Sequence, residues 1–183
     1  MVTLVDLRDE ELEALEQFRK GVAEAPLMYR AIPLGFKAST DEQAGGLVTF
    51  VASEESEDRM GDVIKVDGWQ LKNFKDNPVF LYAHDQTFPP LGRVQKIGVE
   101  GKQLGAGVKF DDGDDVAKMI HAKYTNDFMR AVSVGFRALE YEENTKGSRA
   151  KGILFTKTEL VELSAVPVPA HPKALKKAMG MRS

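Results

Sequence analysis

The sequence predicts a β-rich α+β fold, in which many short strands form a barrel or sandwich flanked by two or three helices. Short segments rich in β-branched and aromatic residues alternate with turn residues along most of the chain. Only two longer segments, residues 6–22 and 114–123, repeat apolar side chains at helical spacing. The many short strands with so few helices argue against a doubly wound sheet. The chain has 183 residues, of which 43% are hydrophobic, and this suits one compact domain rather than two.

The N-terminal half begins with the first of these helices and continues as short extended segments. The helix over 6–22 is amphipathic, with Asp6 as its expected N-cap, and it ends before Pro26. The elements predicted after it are extended stretches at 29–37 and 47–52 around a polar turn at 41–46, a charged loop at 53–62, a strand at 63–66, a short helix at 69–74, and a strand at 79–84 that leads into a loop at 85–90.

The C-terminal half contains a hairpin, the second helix and two long strands. Stretches 91–99 and 104–110 flank Glu100 and Gly101, a signal for a tight turn. The helix that follows begins with Asp114 and Asp115, whose negative charge suits a helix N-terminus. The last predicted elements are a strand at 130–141, a polar loop at 142–152 and an extended run at 153–168, which prolines end.

The composition argues against several classes of function. The 25 basic and 28 acidic side chains leave a formal net charge of -3, so no long-range positive field attracts phosphate backbones, and we expect no nucleic-acid partner. The chain has no cysteine, which excludes disulfides, thiolate metal clusters and a cysteine nucleophile. Because no apolar run approaches the ~20 residues of a membrane helix, we expect a soluble intracellular protein without a membrane partner.

Ser133 is a candidate nucleophile in the segment AVSVGF, residues 131–136. Strand alternation turns the large apolar side chains of this segment to one face and Ser133, Gly135 and Arg137 to the other. Gly135 is expected to leave open space beside Ser133, which a substrate backbone could enter. The alternative is an ordinary serine on a solvated strand face.

His84 and Glu162 are the candidate partners of this serine. His84 ends the predicted strand 79–84, directly after the apolar residues 80–83, and its imidazole can accept a proton near neutral pH. Glu162 interrupts the apolar run 160–166, where a carboxylate needs a partner because its burial otherwise costs several kcal/mol. That partner could be an imidazole, as in Ser-His-acid triads, or an arginine in a structural ion pair. Glu159 competes with Glu162, but regular alternation puts the two on opposite faces.

Five segments resemble, in order and spacing, the motifs of the prohead protease family of tailed phages, which is related to the herpesvirus capsid maturation proteases. They are EDRMGDVI at 57–64 continued by Gly68-Trp69, LYAHD at 81–85, LGRV at 91–94, VSVGF at 132–136, and ELSAVPVPAHP at 162–172. The family often has asparagine where His171 stands. The segment up to residue 44 lies outside the resemblance.

The resemblance implies a herpesvirus-protease-like β-barrel surrounded by a few helices and a Ser-His-Glu triad of His84, Ser133 and Glu162. It divides the chain into an N-terminal helix and extension (1–44), a prohead protease domain (45–172) and a basic C-terminal tail (173–183). It implies hydrolysis of peptide bonds without a metal or organic cofactor. The implied substrates are the scaffold protein or the scaffolding segment of the major capsid protein precursor, and the enzyme itself, inside the assembling prohead in the host-cell cytoplasm. Because related capsid proteases can depend on self-association, the resemblance leaves the oligomeric state open, with a homodimer as one candidate.

The remaining expectations concern the oxyanion and the competing functions. Backbone N–H groups are the expected oxyanion donors, to which Arg93 or Arg137 could add positive charge. A non-catalytic head-assembly module that binds capsid or scaffold is the first alternative, and a hydrolase of small esters is the second, although the segment has only the second glycine of a Gly-x-Ser-x-Gly elbow. Three histidines scattered at 84, 121 and 171 do not predict a metal hydrolase.

Overall fold

A computed structural model describes residues 4–33, 39–41, 46–58, 60–149 and 152–167 of the chain. The helices are α1 (Leu4–Arg19), α2 (Lys72–Asp76) and α3 (Asp115–Thr125), and a 3-10 helix spans Val66–Gly68. The strands are β1 (Leu27–Pro33), β2 (Ser39–Asp41), β3 (Leu47–Glu54), β4 (Val63–Ile64), β5 (Trp69–Gln70), β6 (Val79–Tyr82), β7 (Gly92–Glu100), β8 (Gln103–Phe110), β9 (Ala131–Glu143) and β10 (Ile153–Ala165).

These ten strands form one sheet that curls into a half-barrel. The strand order is β1-β9-β10-β6-β7-β8-β3-β2, while β4 and β5 pair with β10 outside this path. Strand β6 runs parallel to β10, so the C-terminal ends of these two strands lie side by side. The predicted β-rich α+β class, with a barrel-like sheet and few helices, is confirmed.

One cluster of buried apolar side chains joins the sheet to all three helices. Leu15 enters it from α1, Phe74 from α2 and Ile120 from α3. At its centre the rings of Phe50 and Phe80 stack with their centroids 5.7 Å apart. Such ring pairs add about 0.5–1.5 kcal/mol beyond the area they bury. The cluster therefore gives strands β6, β9 and β10 a packed support.

A buried network of ion pairs docks α1 onto the sheet. Arg8 donates to the two carboxylate oxygens of Asp62 at 2.7 and 2.9 Å, and Arg30 of β1 donates to Asp62 at 2.5 Å. Burial alone would lower the pKa of Arg30, but the carboxylates of Glu11 and Asp62 raise it. Asp62 also accepts from the N–H of Ile153 at 2.9 Å. The segment EDRMGDVI thus ties together α1, β1 and the start of β10.

The predicted hairpin and the second helix are confirmed in detail. Gly101, in the turn between β7 and β8, has a φ of +57°, a conformation that suits glycine. Asp114 caps α3, because its side chain accepts from the N–H of Ala117 at 2.7 Å. Local pairing and capping signals were sufficient to predict both elements.

Two other elements begin or end elsewhere than predicted. Helix α1 already includes Leu4, so the helix begins before the predicted N-cap position at residue 6. The predicted helix over 69–74 is wrong in its first half, because β5 pairs there with β10 and α2 begins only at Lys72. Sequence spacing could not reveal this pairing, since the partner strand lies about 90 residues away.

Some predictions fall on parts of the chain outside the described residues. These are residues 34–37 of the first extended stretch, most of the turn at 41–46, and the C-terminal tail at 173–183. The division at residue 44 stays a prediction, although β1, which precedes it, is a strand of the main sheet. Among the helices that the structure describes, none is both long and apolar enough to span a membrane.

Candidate active site

His84 lies just past the end of β6, in a tight turn. The predicted strand 79–84 is two residues too long, because β6 ends at Tyr82 and Ala83 and His84 have φ angles of +51° and +64°. Residues other than glycine pay about 1–2 kcal/mol each for this left-handed conformation. The N–H of Asp85 donates to the carbonyl of Tyr82 at 2.9 Å and closes the turn. The turn brings the imidazole to β10.

Glu162 is the partner of this imidazole. Its side chain is buried, with 2% of the residue exposed, and Oε1 is joined to Nδ1 of His84 by a short hydrogen bond. The partner is therefore an imidazole, not the arginine of a structural ion pair. With its proton on Nδ1, the ring keeps Nε2 as the nitrogen that can accept another proton.

A β-bulge in β10 turns Glu162 toward the strand that carries Ser133. Leu160 pairs with Phe136, but Glu162 pairs with Gly135, so Val161 is an extra residue on β10. Adjacent residues of β9 face opposite sides of the sheet. The bulge therefore moves Glu162 from the face of Leu160 to the face of Gly135.

The same bulge overturns the argument used to set Glu159 aside. Glu159 pairs with Arg137, which shares a face with Gly135, so Glu159 and Glu162 lie on the same face and not on opposite faces. What separates the two carboxylates is distance along the strand, because Glu159 accepts from Asn73 at 2.5 Å instead of from an imidazole. Glu159 borders a shallow cavity of about 260 Å³, lined by Gln70, Lys72, Asn73, Leu139 and Glu159.

Ser133 lies in β9 between two other strands. It pairs with Ala31 of β1 on one side and with Ser164 of β10 on the other, and it is only 1% exposed. This burial does not fit an ordinary serine on a solvated face. Among the described residues, the hydrogen bonds of His84 go to Glu162 and Ser164 and none goes to Ser133. The structure thus brings His84 and Glu162 into contact and puts Ser133 on a neighbouring strand of the same face.

Gly135 has a different role from the one predicted. A Cβ atom built on it would lie 2.5 Å from Oε1 of Glu162 and 3.0 Å from Cε1 of Tyr29. The expected open space beside Ser133 is therefore filled by the carboxylate and by an aromatic ring. Glycine is needed here because the buried carboxylate approaches the β9 backbone closely.

Two residues that had no predicted role complete the site. The ring of Tyr29 lies 4.3 Å from the ring of His84, measured between centroids, and burial followed by the charge of Glu162 raises the pKa of Tyr29. The hydroxyl of Ser164 contacts both His84 and Glu162. The sequence did not indicate Tyr29 because the pairing of β1 with β9 is not readable from it, whereas Ser164 stood within the motif ELSAVPVPAHP.

The two predicted arginines lie on different strands. Arg137 of β9 donates to the carbonyl of Ala25 at 3.0 Å, and Arg93 of β7 is exposed and pairs with Val79. Within the described residues, neither guanidinium forms a hydrogen bond or ion pair with His84. In that part of the chain, no group of three histidine, aspartate or glutamate side chains converges in a way that could hold a metal ion.

Comparison with known proteins identifies relatives of this chain. A family model described as caudovirus prohead serine protease matches residues 37–181. The prohead protease of Escherichia phage T5 is 30% identical over 142 residues, which cover 74% of this chain and 64% of that protein. The capsid polyprotein of Pseudomonas phage PAJU2 is 33% identical over 148 residues, which cover 77% of this chain and 21% of that protein. The chain therefore spans less than two-thirds of the length of either curated relative.

A solved structure supports the same fold. The capsid assembly protease of bacteriophage T4 superposes with a TM-score of 0.57 over 80% of this chain and 100% of that chain, at 11% sequence identity. At so low an identity this likeness shows the fold alone. The family model, by contrast, covers well over half of the sequence, and on that ground the chain belongs to the caudovirus prohead serine protease family.

Proposed function

We propose that this chain is a serine endopeptidase of prohead maturation, with Ser133 as nucleophile, His84 as general base and Glu162 as the residue that orients His84. The observation that carries the proposal is the hydrogen bond between buried Glu162 and Nδ1 of His84, on the sheet face to which Ser133 belongs. Membership of a serine protease family supports it independently. No metal or organic cofactor takes part in the proposed reaction.

The proposed reaction proceeds through a covalent acyl-enzyme. Ser133 Oγ attacks the carbonyl carbon of the scissile peptide bond while Nε2 of His84 takes the hydroxyl proton. Glu162 stabilises the imidazolium, which then gives its proton to the leaving amine. A water molecule, deprotonated by the same imidazole, hydrolyses the ester and restores Ser133.

The missing hydrogen bond between Ser133 and His84 fits a resting state. Catalytic hydrogen bonds are often long before substrate binds and tighten in the productive complex. Ser133 is 1% exposed and the ring of Tyr29 lies beside His84, so a substrate must move atoms of the site to reach the hydroxyl. Such a resting state would limit premature digestion before the prohead is assembled.

The oxyanion of the tetrahedral intermediate needs hydrogen-bond donors as well. We propose backbone N–H groups for this role, with Arg93 or Arg137 as sources of additional positive charge. Arg137 already donates to the carbonyl of Ala25, so its participation requires release of that bond. Arg93 is exposed and free to approach a bound substrate from β7.

The proposed substrates are the scaffold protein or the scaffolding segment of the major capsid protein precursor, and the enzyme itself. The similarity to a capsid polyprotein supports an association with the capsid precursor. We propose that cleavage takes place inside the assembling prohead in the host-cell cytoplasm. We also propose that, if the chain self-associates, the oligomer is a homodimer.

The test is co-expression of the chain with the capsid precursor and scaffold encoded beside it, followed by intact mass spectrometry. Wild-type chain should shorten its partners, whereas Ser133→Ala should lower the cleavage rate by about 10⁴–10⁶-fold. Ser53→Ala is the matched control, because Ser53 is also a fully buried strand serine. Partners left intact by the wild type would favour the non-catalytic assembly module, and equal cleavage by the wild type and Ser133→Ala would remove Ser133 as nucleophile.

A further inference from the structure

Ser164 connects the two partners of the candidate triad. It lies on β10, two residues after Glu162, and is fully buried, with 0% exposure. Its hydroxyl donates to Oε2 of Glu162 at 2.5 Å and accepts from the backbone N–H of His84 at 3.2 Å. One side chain therefore contacts the acid and the main chain of the base.

The bond to Oε2 fixes the orientation of the carboxylate. Oε1 of Glu162 is engaged by His84 and Oε2 by Ser164, so each oxygen of the buried group has a partner. A buried carboxylate oxygen without a partner is costly and would turn the group toward another donor. Because the terminal torsion of a glutamate is broad, packing alone holds it weakly. The hydroxyl of Ser164 supplies the constraint that this torsion lacks.

The bond to the backbone of His84 supports a strained turn. Ala83 and His84 both have positive φ angles, and such residues persist only where surrounding contacts hold them. Two successive N–H groups of this turn are held by β10, since Ala83 donates to the carbonyl of Ala165 at 2.8 Å and His84 donates to Ser164. Ser164 therefore also limits where the imidazole can lie.

We propose that Ser164 is a positioning residue of the active site, which holds the Glu162 carboxylate and the His84 backbone in one fixed relation. This inference rests on the proposed function, because it assigns Ser164 a role through His84 and Glu162. Ser164 does not touch substrate in this role. Its loss should therefore lower kcat and leave KM nearly unchanged.

The kinetic experiment compares Ser164→Ala, Ser164→Thr and Ser53→Ala with the wild type. The substrate is a peptide spanning the junction that mass spectrometry identifies in the capsid precursor. Ser164→Ala should lower kcat roughly 10–100-fold, the range that applies to residues that orient metal-ligating side chains, with KM within about twofold of the wild-type value. Ser164→Thr keeps the hydroxyl and should recover most of kcat. Ser53→Ala removes a buried hydroxyl that has no partner in the described residues and should leave kcat unchanged.

The second experiment needs no proteolysis. In the Ser133→Ala chain, proton NMR should show a far-downfield resonance from Nδ1–H of His84, identified by its absence from His84→Gln. Ser164→Ala should shift or broaden this resonance, whereas Ser53→Ala and Ser164→Thr should preserve it. A resonance unmoved by Ser164→Ala would overturn the proposal, and so would equal effects of Ser164→Ala and Ser53→Ala. If no chain cleaves any substrate, the proposed protease function fails, yet this resonance still decides the role of Ser164.

Discussion

Replacement of Gly135 by alanine tests the geometry of the candidate site without removing any group that takes part in the reaction. The added methyl carbon would lie 2.5 Å from Oε1 and 2.9 Å from Cγ of Glu162. Ordinary contact between such atoms needs about 3.5 Å, so the carboxylate would have to retreat by about 1 Å. Glu162 has little room for this, because it is buried and bonded to His84 and Ser164.

We expect Gly135→Ala to lower the cleavage rate by at least about 100-fold, since a displacement of about 1 Å in a catalytic group can have that effect. The upper limit is about 10⁴-fold, the typical effect of losing the orienting acid of a triad. Overpacking should also lower the free energy of unfolding by about 1–3 kcal/mol. Cleavage of the co-expressed precursor over time measures the rate, and thermal unfolding measures the stability.

Gly98→Ala is the matched control for this experiment. Gly98 also lies inside a strand, β7, but a Cβ atom there meets nothing within 4 Å. This variant should cleave at the wild-type rate and be equally or slightly more stable, by up to about 1 kcal/mol. If Gly135→Ala cleaves as fast as Gly98→Ala, the contact between Gly135 and Glu162 does not constrain catalysis and our account of this glycine is wrong.

Three further predictions concern stability, pH and the aromatic ring beside His84. Asp62→Ala removes a buried carboxylate that pairs with Arg8 and Arg30, and it should lower the free energy of unfolding by about 3–5 kcal/mol in denaturant titration. As a control, removal of the Glu16 side chain, which pairs with the exposed Arg19, should have little effect. Burial lowers the pKa of His121 below its unfolded value, so the unfolded chain binds a proton first and stability should fall as the pH drops below about 6.5. His121→Gln should reduce this dependence of the unfolding temperature on pH, and an unchanged dependence would contradict the prediction. Tyr29→Phe keeps the ring beside His84 and should cleave at the wild-type rate. Tyr29→Ala removes a ring contact of about 0.5–1.5 kcal/mol that holds the imidazole in place, and it should lower the rate up to about tenfold. Equal cleavage rates for both variants would exclude that contribution.

The sequence predicted elements that depend on neighbouring residues better than it predicted relations between distant strands. The cap at Asp114 and the turn at Gly101 involve contacts within a few residues, and both were predictable from local chemistry. The position of Tyr29 against His84 depends on the pairing of β1 with β9, which no local pattern encodes. The same limit explains why the space beside Gly135 was expected to be open.

The role of Glu162 stays a prediction, and the sequence pattern behind it describes strand β10 incompletely. The position of Glu162 in an apolar run required a partner for the carboxylate, and the structure provides His84. Regular alternation, however, gave the wrong reason for preferring it to Glu159, because the bulge at Val161 puts both carboxylates on one face. A bulge changes the face of every residue after it, so alternation arguments hold only up to the first irregularity of a strand.

The segment EDRMGDVI supports the site from a distance and does not contribute to its chemistry directly. Asp62 binds the N–H of Ile153 at the first residue of β10, and the two arginines that neutralise Asp62 come from α1 and β1. Strand β10 carries Glu162 and Ser164, and β1 carries Tyr29. The ion pairs and hydrogen bond of Asp62 therefore hold both of the strands that bring these side chains to His84. Because an unpaired buried charge is far more costly than a paired one, loss of Asp62 should loosen β1 and β10 together. Its effect on cleavage should therefore follow its effect on stability, unlike the effect of Ser164→Ala, which should lower kcat in a chain that remains folded.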